Sequence, residues 1–329
     1  PSPDHKLVAY AVDHNGYETY TLKVKDIETN THLLDEIAEI SGDITWGSDE
    51  STFFYLKMDA EHRPYEVWMH VLGTTTADDV LVHREDNQMF WMGVDKTQSE
   101  RFLVIQSGSK ETDECHIIDL EGVVGGEGHK KAVKNKKCIR EREFGVRYEV
   151  EHHMNKIYIT TNLDGCKNNK VMSTDVDSVL KNSRKPWIDV KPYDRNIQIE
   201  GVLPFQKHLV IFGREGGFEQ VWIANADKLK IGSWRRCQWP EEVYSVWAGS
   251  NYEFSTTSLR LGYSSLVTPK QVLEMDLATG EVKILKQQPV PGYQKENYEC
   301  CRVEATASDG KTKIPISMVF RKDNDPRIV

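Results

Sequence analysis

The residue types that most often carry out catalysis occur in this chain, but at spacings that do not support it. No Gly-x-Ser-x-Gly motif occurs, so no serine has the sharp strand-to-helix turn that exposes a nucleophilic hydroxyl. The Gly310-Lys311-Thr312 triplet resembles the end of a phosphate-binding loop, but Ala305 stands where that loop has its first glycine. We therefore predict no catalytic residue within these 329 residues.

Candidate metal ligands are also dispersed along the sequence. His152 and His153 are adjacent, and adjacent residues of a strand point to opposite faces of the sheet. The six cysteines include no Cys-x-x-Cys pair, and the neighbours Cys300 and Cys301 are poorly placed to bridge each other. The sequence thus predicts no metal site, no cofactor and mainly reduced thiols, which favours a cytoplasmic location over secretion.

Acidic side chains are the more informative charged groups. The net charge is −9, which disfavours nucleic acid as a partner and favours cationic ligands. Four carboxylates stand within nine positions, at Asp35, Glu36, Glu39 and Asp43. The basic run from Lys130 to Lys137 follows a glycine-rich stretch, and we interpret it as a solvated loop. No run reaches the ~20 apolar residues of a membrane span, so no membrane partner is predicted.

The elements that must position these groups repeat along the chain. Short apolar runs follow polar turns, and their first residues step by 46, 49, 55, 52 and 50. A period of that size predicts a β-propeller, because a four-stranded blade buries both faces only between neighbours. The runs begin at Leu7, Phe53, Phe102, Ile157, Leu209 and Leu259.

We accordingly predict an all-β fold of four-stranded antiparallel blades, about six of seven being present. Turn signals such as Asn15-Gly16 separate the strands. A short turn of helix is expected from Val176 to Asn182, and Trp46, Trp91 and Trp247 are expected to be buried between blades. After the first unit, the predicted units are 44–72, 89–120, 146–176, 197–226 and 243–284.

The C-terminal segment departs from this rhythm. Pro289 to Gly292 is typical of a linker, and a hairpin follows, with strands from Tyr298 to Thr306 and from Ile314 to Arg321. We predict a propeller domain over residues 1–288, incomplete at its N-terminal end. Residues 289–329 are then the linker and the first hairpin of another domain.

Two stretches resemble the prolyl oligopeptidase family of serine peptidases, in particular its oligopeptidase B branch. The first runs from Arg63 to Thr74 and ends in His70-Val71-Leu72-Gly73-Thr74. The second runs from Tyr298 to Ile316 and contains the turn Ser308-Asp309-Gly310. The resemblance covers essentially the whole chain and is weakest from Gly122 to Arg142.

The resemblance implies that this propeller caps an α/β-hydrolase domain whose Ser, Asp and His follow the hairpin. It further implies cleavage of short peptides after Lys or Arg, so the partners would be basic peptides and the chain's own hydrolase domain. Glu39 and Asp43 are then candidates for the substrate channel, and Arg63 and Tyr65 for the interdomain face. A prolyl-specific peptidase and a non-enzymatic scaffold for protein binding remain alternatives.

Overall fold

The computed structural model describes residues 1–183 and 185–324, and strands dominate them. Strands make up 51% of the structure and helices 9%, which confirms the predicted all-β class. The chain divides into two compact units. The first comprises Pro1–Gly165 and Met172–Ile188, and the second comprises Cys166–Val171 and the residues from Asp189 onward.

The N-terminal sheet has six antiparallel strands in sequence order. Its third strand, β3 (His32–Trp46), serves two predicted blades at once. The first half of this strand pairs with β2 (Tyr20–Asp26) and the second half with β4 (Thr52–Met58), and Ile40 pairs with Tyr20 on one side and Lys57 on the other. The register shifts around Gly42, whose φ of 98° suits glycine. The strands are β1 (Leu7–Asp13), β2 (Tyr20–Asp26), β3 (His32–Trp46), β4 (Thr52–Met58), β5 (Pro64–Val71) and β6 (Val80–Arg84).

Two four-stranded sheets follow, each antiparallel and each with its first strand at one edge. The first has the order β10-β9-β8-β7, with β7 (Trp91–Lys96), β8 (Phe102–Gly108), β9 (Asp113–Asp119) and β10 (Lys137–Arg140). The second has the order β11-β12-β13-β14, with β11 (Tyr148–His153), β12 (Lys156–Thr161), β13 (Lys170–Asp175) and β14 (Ile188–Lys191).

Residues 197–321 form two further four-stranded sheets and a two-stranded one. The first contains β15 (Ile197–Pro204), β16 (His208–Glu215), β17 (Phe218–Asn225) and β18 (Arg235–Arg236). The second contains β19 (Tyr244–Ala248), β20 (Ser258–Ser265), β21 (Gln271–Asp276) and β22 (Val282–Gln287). The predicted C-terminal hairpin is present as β23 (Tyr298–Thr306) and β24 (Lys313–Arg321).

Two α-helices are present in the described residues: α1 (Gly125–Lys134) and α2 (Val176–Leu180). Helix α2 confirms the short helix expected from the sequence. Helix α1 shows that the solvated loop predicted from Lys130 to Lys137 was wrong. His129, Ala132 and Val133 recur at helical spacing and are buried, so one face of this basic segment packs into the core. Short 3₁₀ turns occupy Thr76–Asp78, Leu163–Gly165, Ala226–Lys228, Lys295–Asn297 and Lys322–Asn324.

The core of the first unit lies between successive sheets. One apolar cluster packs β4, β5 and β6 against β7, β8 and β9 with α1. Another packs β8 and β9 against β11, β12 and β13 with α2. In the second unit, a cluster joins β16 and β17 to β19, β20 and β21. Burial of blade faces by their neighbours is the arrangement that the fifty-residue repeat predicts.

The three tryptophans do not behave alike. Trp46 is buried at 7% exposure, as predicted, but the prediction was wrong for Trp91 at 57% and Trp247 at 37%. Strand side chains alternate between faces, and Met92 and Val94 take the buried face of β7, which leaves Trp91 on the other. Trp247 lies instead across its strand partner Gly262, where the missing side chain makes room for the indole.

Candidate functional site

An acidic cavity lies between the edge strands of the two sheets that follow the N-terminal one. Its volume is about 370 Å³, and it lies within the first unit. Strands β7, β8 and β9 form one wall, and the segment leading into β11 and β11 itself form the other. The lining residues are Asp95, Lys96, Val104, Gln106, Asp113, Arg147, Glu149, Val150 and Glu151.

Hydrogen bonds across the two sheets hold the cavity walls in position. The Gln106 side-chain amide donates to the carbonyl of Tyr148 over 3.2 Å. The backbone N–H of Gln98 donates to Glu151 Oε2 over 3.0 Å. The backbone N–H of Tyr148 donates to Asp113 Oδ2 over 3.1 Å. These bonds join β8, β9 and the turn after β7 to β11, and backbone N–H groups hold the carboxylates of Asp113 and Glu151 in place.

The cavity holds four carboxylates against two cationic side chains. Burial raises the pKa of Glu151 to about 7, although two backbone N–H groups stabilise its ionised form. Burial also raises the pKa of Asp113, with Arg147 opposing it from 3.5 Å. Burial and the neighbouring charge of Asp113 raise the pKa of Glu149. Such crowded carboxylates gain when a cation enters, since its charge offsets their mutual repulsion.

A serine–histidine pair lies near this cavity but does not form a catalytic centre. Ser99 Oγ is 2.7 Å from His152 Nδ1, and His152 Nε2 is 2.6 Å from the carbonyl oxygen of Met154. Burial lowers the pKa of His152 to about 4. Each ring nitrogen thus has a hydrogen-bond partner among the described residues, and neither partner is a carboxylate as in a catalytic triad. The pair fixes the turn after β7 to the end of β11.

The four clustered carboxylates predicted from the sequence have separate surroundings in the structure. Glu36, Glu39 and Asp43 are exposed, and Glu39 has a φ of 61° beside the irregular part of β3. Asp35 is instead buried at 7% exposure. None of the four lines the acidic cavity. Whether Glu39 and Asp43 face a substrate channel stays a prediction.

Asp35 belongs to a buried network around a histidine of β5. His70 Nε2 is 3.1 Å from Asp35 Oδ1, and His70 Nδ1 is 2.7 Å from Asp79 Oδ1. Tyr55 donates to the other oxygen of Asp79 over 2.7 Å, and Gly73 N–H donates to Asp35 over 2.6 Å. Burial acts to lower the pKa of His70, but the two aspartates outweigh it and the pKa is raised. Asp35 is therefore structural.

Arg63 and Tyr65 form a local cluster within the N-terminal sheet. The buried Arg63 guanidinium lies 2.8 Å from Asp59 Oδ2, and its Nη1 donates to the carbonyl oxygen of Phe90 over 2.9 Å. Arg63 and Arg84 both lie over the Tyr65 ring, at 5.5 and 5.4 Å from its centroid. These contacts fix Arg63, while its place at an interdomain face stays a prediction.

The acidic cavity was missed by sequence reasoning, although one local signal was available. Glu149 and Glu151 alternate along β11, and Asp95 is the last residue but one of β7, the corresponding strand of the preceding unit. Aligning the units would have placed these three carboxylates beside one another.

In the described residues, no helix is both long and apolar enough to cross a membrane.

Successive four-stranded antiparallel sheets with interleaved cores define a β-propeller domain, here with an acidic cavity between two blades. The chain belongs to the prolyl oligopeptidase N-terminal β-propeller family, whose sequence profile matches residues 1–288. It is thus similar to the propeller portion of a family of serine peptidases, which confirms the family resemblance found in the sequence.

Several named proteins are similar over nearly the whole chain. Dipeptidyl aminopeptidase BI of Pseudoxanthomonas mexicana is 34% identical over 98% of this chain and 42% of its own length. Oligopeptidase B from Leishmania major has a TM-score of 0.85 and 30% identity, covering 99% of this chain and 45% of its own. Oligopeptidase B from Trypanosoma brucei, with covalently bound antipain, has a TM-score of 0.84 and 32% identity, covering 99% and 44%. The chain therefore spans less than half the length of these proteins.

Proposed function

We propose that this chain is the gating propeller of a serine oligopeptidase that cleaves short peptides after Lys or Arg. In this proposal the catalytic Ser, Asp and His belong to a hydrolase domain outside these 329 residues. The acidic cavity between β7 and β11 carries the proposal, together with the similarity to two oligopeptidases B. The reduced state of Cys115, Cys138, Cys237, Cys300 and Cys301 in the structure fits our further proposal of a cytoplasmic location.

The cavity suits the cationic side chains of such peptides in size and charge. Its volume of about 370 Å³ is at the lower end of the ~300–1,000 Å³ typical of ligand sites. Four carboxylates on the two facing walls of one cavity concentrate the negative potential. Between exposed charges that potential is screened over ~8 Å at physiological salt. We therefore propose that the cavity attracts and briefly holds a Lys or Arg side chain on its way to the catalytic site.

The two alternatives predict different behaviour. A prolyl-specific peptidase has no use for a cation-binding wall, because proline is uncharged. A non-enzymatic scaffold requires no peptide turnover. The acidic cavity therefore favours the basic-specific peptidase over the prolyl-specific one, and the match to a peptidase family favours a peptidase over the scaffold.

The main experiment compares the full-length protein with the 329-residue chain. Both are assayed on matched short peptides with Arg or Pro before the scissile bond, with and without a serine-directed covalent inhibitor. We expect inhibitor-sensitive cleavage after Arg by the full-length protein and no turnover by the chain alone. Preference for proline supports the prolyl-specific alternative, and absence of turnover by the full-length protein supports the scaffold.

A second experiment tests the cavity itself. In the full-length protein, the double variant Asp95→Asn with Glu149→Gln removes two charges while keeping the side-chain sizes. We expect the kcat/KM for Arg peptides to fall about threefold to tenfold at low ionic strength, and less at high salt. An uncharged substrate, if one is cleaved detectably, should be unaffected. An unchanged kcat/KM for Arg peptides at low salt would remove the cavity from the proposal.

The exposed candidates can be ranked against the cavity with the same assay. The double variant Glu39→Gln with Asp43→Asn carries the same change in charge. If these residues border the substrate channel, it should lower kcat/KM for Arg peptides by a similar factor at low salt. If only the cavity variant does so, Glu39 and Asp43 are ordinary solvated carboxylates.

For the interdomain proposal, the test variant is Tyr65→Ala. Tyr65→Phe retains the ring between Arg63 and Arg84 and serves as its control.

A further inference from the structure

Three metal-binding side chains of different chemistry meet on one face of the strand pair β9–β10. Glu114 and His116 are two residues apart on β9, so they point to the same face. Cys138 is the cross-strand partner of His116 on β10. One ligand atom from each residue lies within 4.8 Å of the other two. The register of an antiparallel pair therefore assembles a carboxylate, an imidazole and a thiol.

A second imidazole adjoins this trio from the preceding sheet. His83 belongs to β6, and its ring centroid lies 4.6 Å from that of His116. Both histidines are in the first compact unit. The four side chains together offer one oxygen, two nitrogens and one sulfur, which is enough for tetrahedral coordination.

One nitrogen of the cluster lacks a partner. His116 Nδ1 is buried and has no hydrogen bond among the described residues. It lies 3.9 Å from Glu114 Oε1, which is beyond hydrogen-bond distance. Leaving a buried polar atom unpaired destabilises the fold, so such an atom calls for an explanation.

We propose that Glu114, His116 and Cys138, with His83 as the fourth ligand, form a zinc site between two blades. Zinc binds thiolate sulfur at about 2.3 Å and imidazole nitrogen at about 2.0–2.1 Å, so the ligand atoms must move closer together by side-chain rotation. On binding, the Cys138 thiol releases its proton to solvent and becomes thiolate. Bound zinc would join β6 of one sheet to β9 and β10 of the next.

Two basic side chains compete with the metal. Lys136 Nζ lies 2.6 Å from His83 Nδ1 and 2.8 Å from the carbonyl oxygen of Val82. Arg142 Nη2 lies 3.3 Å from Glu114 Oε1 but 2.6 Å from Glu85 Oε2. Arg142 thus keeps a partner when Glu114 turns to the metal, whereas Lys136 must leave His83. Replacing Lys136 should therefore strengthen metal binding.

The experiment titrates the metal-free full-length protein with Co²⁺ and then with Zn²⁺. We expect one equivalent of cobalt to give a thiolate-to-cobalt charge-transfer band and tetrahedral visible bands, both abolished when zinc displaces it. Cys138→Ala should remove the band and weaken zinc binding at least tenfold. The matched control is Cys237→Ala, which removes a buried thiol elsewhere and should leave both unchanged. Circular dichroism of each metal-free variant checks that it is folded.

Lys136→Met gives a test that does not depend on losing a ligand. It keeps the aliphatic packing but removes the ammonium group from His83, and we expect zinc to bind several-fold more tightly. The proposal is refuted if wild-type protein shows no stoichiometric thiolate band, or if Cys138→Ala and Cys237→Ala behave alike. It loses His83 as the fourth ligand if Lys136→Met and His83→Ala both leave zinc affinity unchanged.

Discussion

Glu151 should make the chain less stable as the pH rises towards neutrality. Burial raises its pKa from the ordinary 4.5 to about 7. Between these two values the folded chain holds a proton on Glu151 that the unfolded chain has lost. The folded state therefore binds more protons in this window, and the free energy of unfolding falls as the pH rises from about 4.5 to 7.

The size of the effect follows from the displacement of the pKa. One pKa unit corresponds to about 1.4 kcal/mol, so the full displacement corresponds to about 3 kcal/mol. The side chain is partly exposed, and solvent screening reduces the effect, so we expect about 1–2 kcal/mol. Glu151→Gln removes the titration and retains an oxygen that can accept from Gln98 N–H. Between pH 5 and pH 8, the free energy of unfolding of the variant should rise by that amount relative to that of wild type.

The assay is urea unfolding of wild type and Glu151→Gln at a series of pH values. The quantity of interest is the difference between the two curves, because Asp113 and Glu149 titrate in the same cavity and contribute to both. The exposed Glu50→Gln makes the same substitution outside the cavity and is the control. If the difference in free energy of unfolding between Glu151→Gln and wild type is constant from pH 5 to pH 8, the raised pKa assigned to Glu151 is wrong.

Three further predictions concern stability. His70→Leu removes the cation that two buried aspartates share, and should lower the free energy of unfolding by about 3–5 kcal/mol below pH 6.5. The raised pKa of His70 stabilises the fold only while the ring is protonated. The loss measured by urea unfolding should therefore shrink as the pH rises through that pKa. Gly213→Ala places a Cβ against the carbonyl oxygen of Gln198 and should cost about 1–3 kcal/mol, whereas Gly201→Ala in the same sheet meets open space; equal melting temperatures for the two variants would contradict this. Arg63→Lys loses the guanidinium hydrogen bonds to backbone carbonyls and should cost about 1–3 kcal/mol in thermal unfolding, an expectation that fails if the variant melts with wild type.

Much of the fold could be predicted from the sequence because its main signal is local and repeated. The apolar runs at Phe53, Phe102, Ile157, Leu209 and Leu259 all became the second strand of a blade. Helix α1 was missed because its buried face depends on three residues within a strongly basic segment, and the charge count hid them. The burial of Trp91 was wrongly predicted because residue type was given more weight than the alternation of side chains along the strand. Met92 and Val94 occupy the buried face, so Trp91 lies on the other.

The candidate site was much harder to predict, since its members come from different repeats. Asp95 and Glu151 are far apart in sequence, and only the packing of one blade against the next brings them to one cavity. Conversely, clustering along the chain suggested a shared site for residues that have different surroundings in the structure. Asp35 and Glu39 are four residues apart, yet one is buried beside His70 and the other is exposed. Proximity in sequence therefore said little about shared chemistry here.

The continuous strand β3 has a consequence for how the first unit comes apart. Its backbone hydrogen bonds serve two predicted blades of one six-stranded sheet, so opening of the outer strand of one blade also strains the inner strand of the next. Amide protons along His32–Trp46 should then exchange with solvent in a single cooperative opening rather than in two. The N-terminal blades would thus resist force and proteolysis together, as one mechanical element held by a shared backbone.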